Sequence, residues 1–252
     1  MTNETKPSGM HKYGLIGQNI DYSFSKAYFN QKFKNLDINA EYDNYDIDHI
    51  LKLKNVLHKE KDLKGLNVTI PYKESVIDFI DVLDTNAKAI GAVNTIKIQN
   101  NKLYGYNTDV YGFIKSLFPL LEKHHKKALV LGSGGASKAI CHGLDSFDIA
   151  YKIVSRQPQS QKQLSYEQLD EKVLKAHKLI INCTPLGTYP DIQQSPNIPY
   201  EYLTKKHLLY DLVYNPKVTT FLARGKAQKA KICNGYDMLK FQAEKAWEIW
   251  NT

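Results

Sequence analysis

The chain has few cysteines, very few arginines and no long apolar run, and each shortage removes a class of explanation. Only three cysteines occur in 252 residues, Cys141, Cys183 and Cys233. They lie far apart and outside any C-x-x-C spacing, so neither a disulfide framework nor a zinc site is indicated and reduced, partly buried thiols are expected. Nowhere do about 18 apolar residues run together, as a membrane-spanning helix would need. The opening residues, MTNETKPSGMHK, lack the apolar stretch of a secretory signal, and the expectation is a soluble, cytoplasmic protein. No internal repeat or low-complexity tract is present. The 34 basic residues exceed the 26 acidic ones, giving a net charge of +8. The lysines are nevertheless spread along the chain with no RNA- or DNA-binding signature, so a solvated surface is expected and no nucleic-acid partner. Arginine is limited to Arg156 and Arg224, which makes the placement of each informative.

Against that background one stretch stands out, KALVLGSGGAS from Lys127 to Ser137. An apolar run, Ala128 to Leu131, stops at Gly132-Ser133-Gly134-Gly135 and continues through Ala136 and Ser137, the pattern of a buried strand, a glycine turn and a helix. Glycine there accepts positive φ and lets another molecule approach the backbone, while the helix N-terminus presents unpaired N–H groups, a setting suited to a phosphate. Alternating strands and helices follow to the C-terminus, with strands expected at Tyr151 to Val154, Leu179 to Asn182, Leu208 to Leu212 and Lys231 to Cys233. In such a sheet, ligands lie beyond the carboxyl ends of the strands. The loops Cys183 to Gly187, with Thr184, and Val213 to Pro216 are thus expected to face a dinucleotide, and Gly235 is counted with them. The second strand of the unit ends in Ser155-Arg156, where an NAD-binding unit carries a carboxylate for the ribose hydroxyl. A guanidinium at that place suits a 2′-phosphate, which favours NADP, bound as NADPH.

The front half carries polar residues at element ends. Tyr13 to Ile16 reads as a strand and Ser25 to Phe33 as a helix with Ser25 at its N-cap. Ser23, two residues earlier, points the same way in extended chain, so the two hydroxyls could equally hold a carboxylate. Glu41 to Asp46 is a strand and Asp48 to Leu57 a helix capped by Asp48. At Gly65 to Glu74, strand alternation puts Asn67 and Thr69 on one side, Pro71 ends the ladder, and Lys73 stands at the entry to a helix. Ala92 to Ile98, interrupted by Asn94, and Leu103 to Asn107 flank Asn100-Asn101, a tight hairpin pair. Thr108 or Asp109 then caps a helix from Val110 to Leu121. That segment, ending in Lys123-His124-His125-Lys126-Lys127, is the candidate hinge, its histidines expected on a solvated linker. The last helix, Tyr236 to Trp250, puts Leu239, Ala243, Ala246 and Trp250 on one stripe, and Gln242 among them needs partners if buried.

Taken together, these residues resemble the shikimate dehydrogenase family from Tyr13 onward. Paired serines match Ser23 and Ser25, NVTxPxK matches Asn67 to Lys73, GAVNT is intact at Gly91 to Thr95, and GxNTD matches Gly105 to Asp109. The glycine loop matches Gly132 to Ser137, and GxxMLxxQA is present as Gly235, Met238, Leu239, Gln242 and Ala243. The resemblance implies an α/β protein: an N-terminal α/β substrate lobe, residues 1–109 with the C-terminal helix 236–252, plus a Rossmann-like dinucleotide-binding domain with a parallel sheet, 110–235. It implies reversible reduction of 3-dehydroshikimate to shikimate by NADPH in aromatic amino-acid biosynthesis, with the substrate in a cleft between the lobes. Ser23, Ser25 and Tyr214 would hold the substrate carboxylate, and Asn67, Thr69, Asn94, Asp109 and Gln242 its ring hydroxyls. Lys73 and Asp109 would be the catalytic pair, and no metal is implied.

Three departures and three rivals go with this. Tyr22 stands where the family usually has histidine before Ser23, Ser155-Arg156-Gln157 replaces the usual NRT, and a second arginine is missing, its place taken by Ser160 or a neighbour. NADP preference is therefore expected to be weaker than in members with both arginines. A quinate or NAD enzyme, a methyltransferase and a basic nucleic-acid-binding protein are the rivals. A monomer or homodimer is expected.

Overall fold

The protein is described by a computed structural model covering residues 9–21, 23–161 and 163–252. It divides into two compact units, Met1–Thr108 with Ala246–Thr252, and Asp109–Lys245. The first contains β1 (His11–Gly17), α1 (Phe24–Asn35), β2 (Ala40–Asp46), α2 (Leu53–Lys59), β3 (Leu63–Val68), β4 (Val82–Leu83), α3 (Thr85–Ile90), β5 (Thr95–Gln99) and β6 (Lys102–Tyr106). Its sheet has the order β2-β1-β3-β5-β6-β4, with β1 parallel to both neighbours and β5 antiparallel to β3 and β6. The β5–β6 hairpin turns on Asn100 and Asn101, at φ 51° and 57°. Asparagine tolerates that left-handed pair far better than most residues, so the hairpin expected from sequence forms.

Alternation along the strands divides this sheet into two faces. Ile16, Leu66, Val68 and Ile96 join Leu53 and Val76 in an aliphatic core. Tyr13 and Tyr42 point the other way, onto Phe29 and Phe33 of α1, with Tyr42 stacked on Phe29 at 4.7 Å between centroids. Trp250 completes that aromatic face. Its indole covers Gly65, where a Cβ would run into the ring, and its Nε1 donates to the Ile96 carbonyl at 2.9 Å.

The second unit contains α4 (Asp109–Leu117), β7 (Lys127–Leu131), α5 (Gly135–Asp145), β8 (Ala150–Val154), β9 (Gln163–Leu164), α6 (Glu171–Ala176), β10 (Leu179–Asn182), β11 (Leu208–Asp211), α7 (Thr220–Ala227) and β12 (Lys231–Cys233). α8 (Tyr236–Asn251) begins in it and ends in the first unit. All six strands are parallel, in the order β12-β11-β10-β7-β8-β9. From β7 the chain therefore winds outward through β8 and β9, then returns and winds the opposite way through β10 to β12. The reversal between β7 and β10 is the switch point at which open sheets of this kind take ligands. Ala128 to Leu131, Leu179 to Ile181 and Leu208 to Tyr210 are buried. They are covered on one face by Phe113, Ile140, Leu144 and Met238 and on the other by Leu174, Phe221 and Leu222. Coverage on both faces is why these strands read as apolar runs with no alternation.

Several local expectations need correction. Ser23, not Ser25, caps α1: its Oγ accepts from the Ser25 N–H at 3.2 Å. Asp48 caps nothing, because its carboxylate pairs with Lys52 at 2.8 Å, while His49 caps a 3₁₀ turn, Ile50–Lys52, before α2. The helix expected after Lys73 is a short 3₁₀ one, Ser75–Phe79. α4 stops at Leu117 because Pro119 has no N–H to continue it, and Phe118–Leu120 closes as a 3₁₀ turn. His125 is buried, its Nδ1 accepting from the Glu122 N–H, so only His124 of that pair is exposed. The cysteines are free thiols, and burial pushes Cys141 and Cys233 to about 11 and Cys183 well above its usual value.

Candidate active site

In the first unit the polar residues form one buried hydrogen-bonded chain. Asn67 lies on β3 opposite Thr95 of β5. Its Nδ2 donates to the Thr95 Oγ1 at 3.2 Å and to the Asn94 carbonyl at 3.3 Å. Its Oδ1 accepts from the Tyr42 hydroxyl at 2.8 Å, and that hydroxyl is in turn bonded by Ser25. The Asn94 side-chain oxygen accepts from the Thr108 N–H at 2.7 Å, and the hydroxyls of Thr95 and Thr108 both reach it at 3.2 Å. Burial holds the Tyr42 phenol well above its ordinary range, so it remains a donor. Ser25, Asn67, Asn94 and Thr108 belong to four separate sequence blocks, and β-sheet register is what unites them.

The other expected residues of this unit sit around that chain. The Thr69 N–H bonds the Ile16 carbonyl, extending the β1 pairing, and Gly17 makes room for its methyl, which a Cβ there would approach to 2.5 Å. The Lys73 carbonyl accepts from the Val93 N–H at 2.7 Å, which fixes the Lys73 backbone beside the Asn94 block. Ser23 is half-buried at the start of α1, and Tyr22, before it, lies outside the described residues. Tyr42 was missed by sequence reasoning, since a tyrosine in an amphipathic strand carries no sign of its partner. Thr95 stood inside a quoted block without a role, and Thr108 was read only as a candidate helix cap.

In the second unit the glycine turn follows β7 at the switch point. Gly132 has φ +102°, and a Cβ there would lie 3.0 Å from the Thr184 methyl, so the backbone sign and the approach of the β10 loop both call for glycine. Gly134 precedes α5, an eleven-residue helix with no side-chain cap, and a Cβ at Gly134 would meet nothing within 4 Å. Gly135 and Ala136 open that helix. The Ser137 hydroxyl turns back to the Gly134 carbonyl at 2.7 Å. A cradle of this kind, bare backbone at a helix N-terminus beside open space, fits a pyrophosphate. Beyond β8 the Ser155 Oγ accepts from the Gln157 N–H at 3.2 Å, folding the loop and leaving Arg156 exposed.

The loops after β10 and β11 are braced from beneath. Thr184 gives its hydroxyl to Asn182 at 2.6 Å, and Asn182 donates to the Asp211 carboxylate at 2.9 Å. Val213 is buried, its N–H on Asp211 and its carbonyl accepting from the Gly235 N–H at 3.2 Å. A Cβ at Gly235 would run into the Leu212 carbonyl. Tyr214 is half-buried in the same loop. Asp109 opens α4 and is 8% exposed, and Gln242, on α8, is 7% exposed with its Nε2 on the Leu239 carbonyl. Gly112, one turn after Asp109, lets α4 press against α8, where a Cβ would lie 3.1 Å from Gln242. That glycine inside an apolar helical run was the available signal for this close packing.

Comparison with known proteins completes the assignment. The shikimate dehydrogenase substrate binding domain model matches residues 15–96. A shikimate dehydrogenase (NADP(+)) of Clostridium beijerinckii is 38% identical over 96% of this chain and 92% of that protein. The chain belongs to the shikimate dehydrogenase family. Among solved structures, shikimate dehydrogenase from Aquifex aeolicus superimposes with a TM-score of 0.84 at 34% identity, over 98% of this chain and 94% of that one. The Thermus thermophilus shikimate 5-dehydrogenase, in complex with NADP(H) and shikimate, does so with a TM-score of 0.85 at 28% identity, over 96% and 93%. Of the quoted blocks, those containing Asn67, Asn94 with Thr95, and Thr108 meet in the buried network of the first unit, and the quoted glycine loop follows β7 at the reversal of strand order in the second.

Proposed function

We propose that the protein catalyses the reversible NADPH-dependent reduction of 3-dehydroshikimate to shikimate, the first unit taking the substrate and the second the dinucleotide. The observation that carries this is full-length kinship with shikimate dehydrogenases (NADP(+)), at 38% identity, since an α/β fold alone selects no substrate. Gly132–Ser137, with Thr184, Val213 and Gly235, would hold the NADPH, which would supply the hydride. Ser23, Ser25 and Tyr214 hold the substrate carboxylate. Asn94, Thr69, Gln242 and Asn67 hold the ring hydroxyls, Asn67 through Oδ1 because both its amide hydrogens already face protein acceptors. As the ketone becomes an alcohol, its oxygen gains negative charge and then a proton, and Lys73 is the donor, with Asp109 its proton-handling partner. Absorbance of NADPH in the presence of 3-dehydroshikimate tests the reading, and an inert mixture would end it.

Arg156 is the candidate for the 2′-phosphate. A charge-assisted hydrogen bond is worth about 1.5–3 kcal/mol, so Arg156→Ala is expected to lower kcat/KM for NADPH by about 10- to 100-fold. The value for NADH should scarcely move. Equal losses with both cofactors would remove Arg156 from phosphate recognition.

A further inference from the structure

One buried carboxylate has no part in the chemistry just described, and its position is unusual. Asp211 ends β11 and is fully buried. It accepts from Asn182 Nδ2 at 2.9 Å, from the Val213 N–H at 3.0 Å and from the Thr219 hydroxyl at 2.5 Å. These three donors come from the end of β10, the loop after β11 and the cap of α7. Through Asn182 the tie extends to Thr184, whose N–H and hydroxyl both bond the Asn182 side-chain oxygen. A single anion thus gathers both loops on one side of the switch point, and Thr184 packs against Gly132 on the other. A buried carboxyl is costly, and three neutral donors offset only part of that cost. An amide would satisfy most of the same partners without the charge.

We propose that Asp211 is a positioning residue for the dinucleotide, its ionised carboxylate holding the Thr184 and Val213 loops in their binding geometry through Asn182 and the Val213 N–H. This rests on the reading of the second unit as the dinucleotide site. Desolvation raises the Asp211 carboxyl to about 6, the three hydrogen bonds opposing the rise. The titratable groups facing it are Cys183 and Tyr200, raised by burial, the latter to about 12, with Arg224 lying 3.8 Å over the Tyr200 ring. Neither Cys183 nor Tyr200 changes charge near pH 6. A carboxyl whose folded value exceeds its unfolded one favours folding while protonated, and that stability is lost as pH rises from about 4 through about 6. At about pH 8 the native chain bears the whole cost, and Asp211→Asn does not.

The proposal therefore sets function against stability. By NADPH fluorescence titration at about pH 8, Asp211→Asn should weaken NADPH binding about tenfold or more, the effect of one charge-assisted hydrogen bond. Its melting temperature should be no lower than wild type. The ratio of the variant's Kd to that of wild type should shrink toward one at about pH 5, where wild type is itself protonated; taking the ratio cancels titration of the cofactor's own phosphate. Thr219→Val should weaken NADPH binding, and Thr219→Ser, which keeps the hydroxyl, should not. Unchanged affinity in Asp211→Asn, or weaker affinity together with a lower melting temperature, overturns the inference while wild-type binding keeps the dinucleotide reading standing. Wild type that fails to bind NADPH overturns both.

Discussion

Lys73→Ala is expected to lower kcat by ~10²-fold or more, the usual scale for a general acid, with the substrate KM changing much less. On the proposed mechanism the ketone oxygen needs a cationic donor as charge develops on it, an interaction made chiefly in the transition state, so the loss falls on kcat more than on KM. Lys73 is only half-buried, and its backbone is anchored by its own carbonyl on the Val93 N–H, so the truncation removes the ammonium without opening a core cavity. The melting temperature should accordingly stay near wild type. Turnover close to native in a folded variant would take Lys73 out of the mechanism.

The largest expected loss of stability lies at Trp250. It is 6% exposed, packs within 4.9 Å of Tyr13 and 5.3 Å of Phe29 between centroids, and covers Gly65. Trp250→Ala should cost about 3–5 kcal/mol, from lost burial and the cavity left behind, and lower the melting temperature by roughly 10 °C for a chain of this length. Trp250→Phe keeps most of the ring but removes the Nε1 donor to the Ile96 carbonyl, at a cost of about 0.5–1.5 kcal/mol. Because the same aromatic face holds Tyr42, whose hydroxyl orients Asn67, the alanine variant should also raise the substrate KM. An unfolding curve for Trp250→Ala that overlays wild type would show that the aromatic face is not what secures the first sheet.

Much of this could be read from single segments. The strand, glycine turn and helix from Lys127 to Asp145 follow from a buried apolar run and from the backbone freedom of Gly132. The Asn100-Asn101 hairpin follows from left-handed tolerance, and the parallel sheet from the spacing of apolar runs. Helix starts were less legible. Ser23 and Ser25 compete for one cap with the same chemistry, and the cap goes to Ser23 because Ser25 is drawn to Tyr42, 17 positions away in the chain and adjacent only once β2 is in place. Asp48 lost its expected cap to an ion pair with Lys52, and Pro119 shortened α4 by removing a donor.

The sequence alone determined the order of elements, the glycine turn and the set of polar blocks, because helix and strand periodicity and left-handed backbone are properties of neighbouring residues. Only the tertiary structure decided that Ser25, Asn67, Asn94 and Thr108 share one buried network and that Asn182, Val213 and Thr219 converge on Asp211. Those bonds depend on strand register and burial, which set the partners of a buried polar atom and are not encoded in any short stretch of chain.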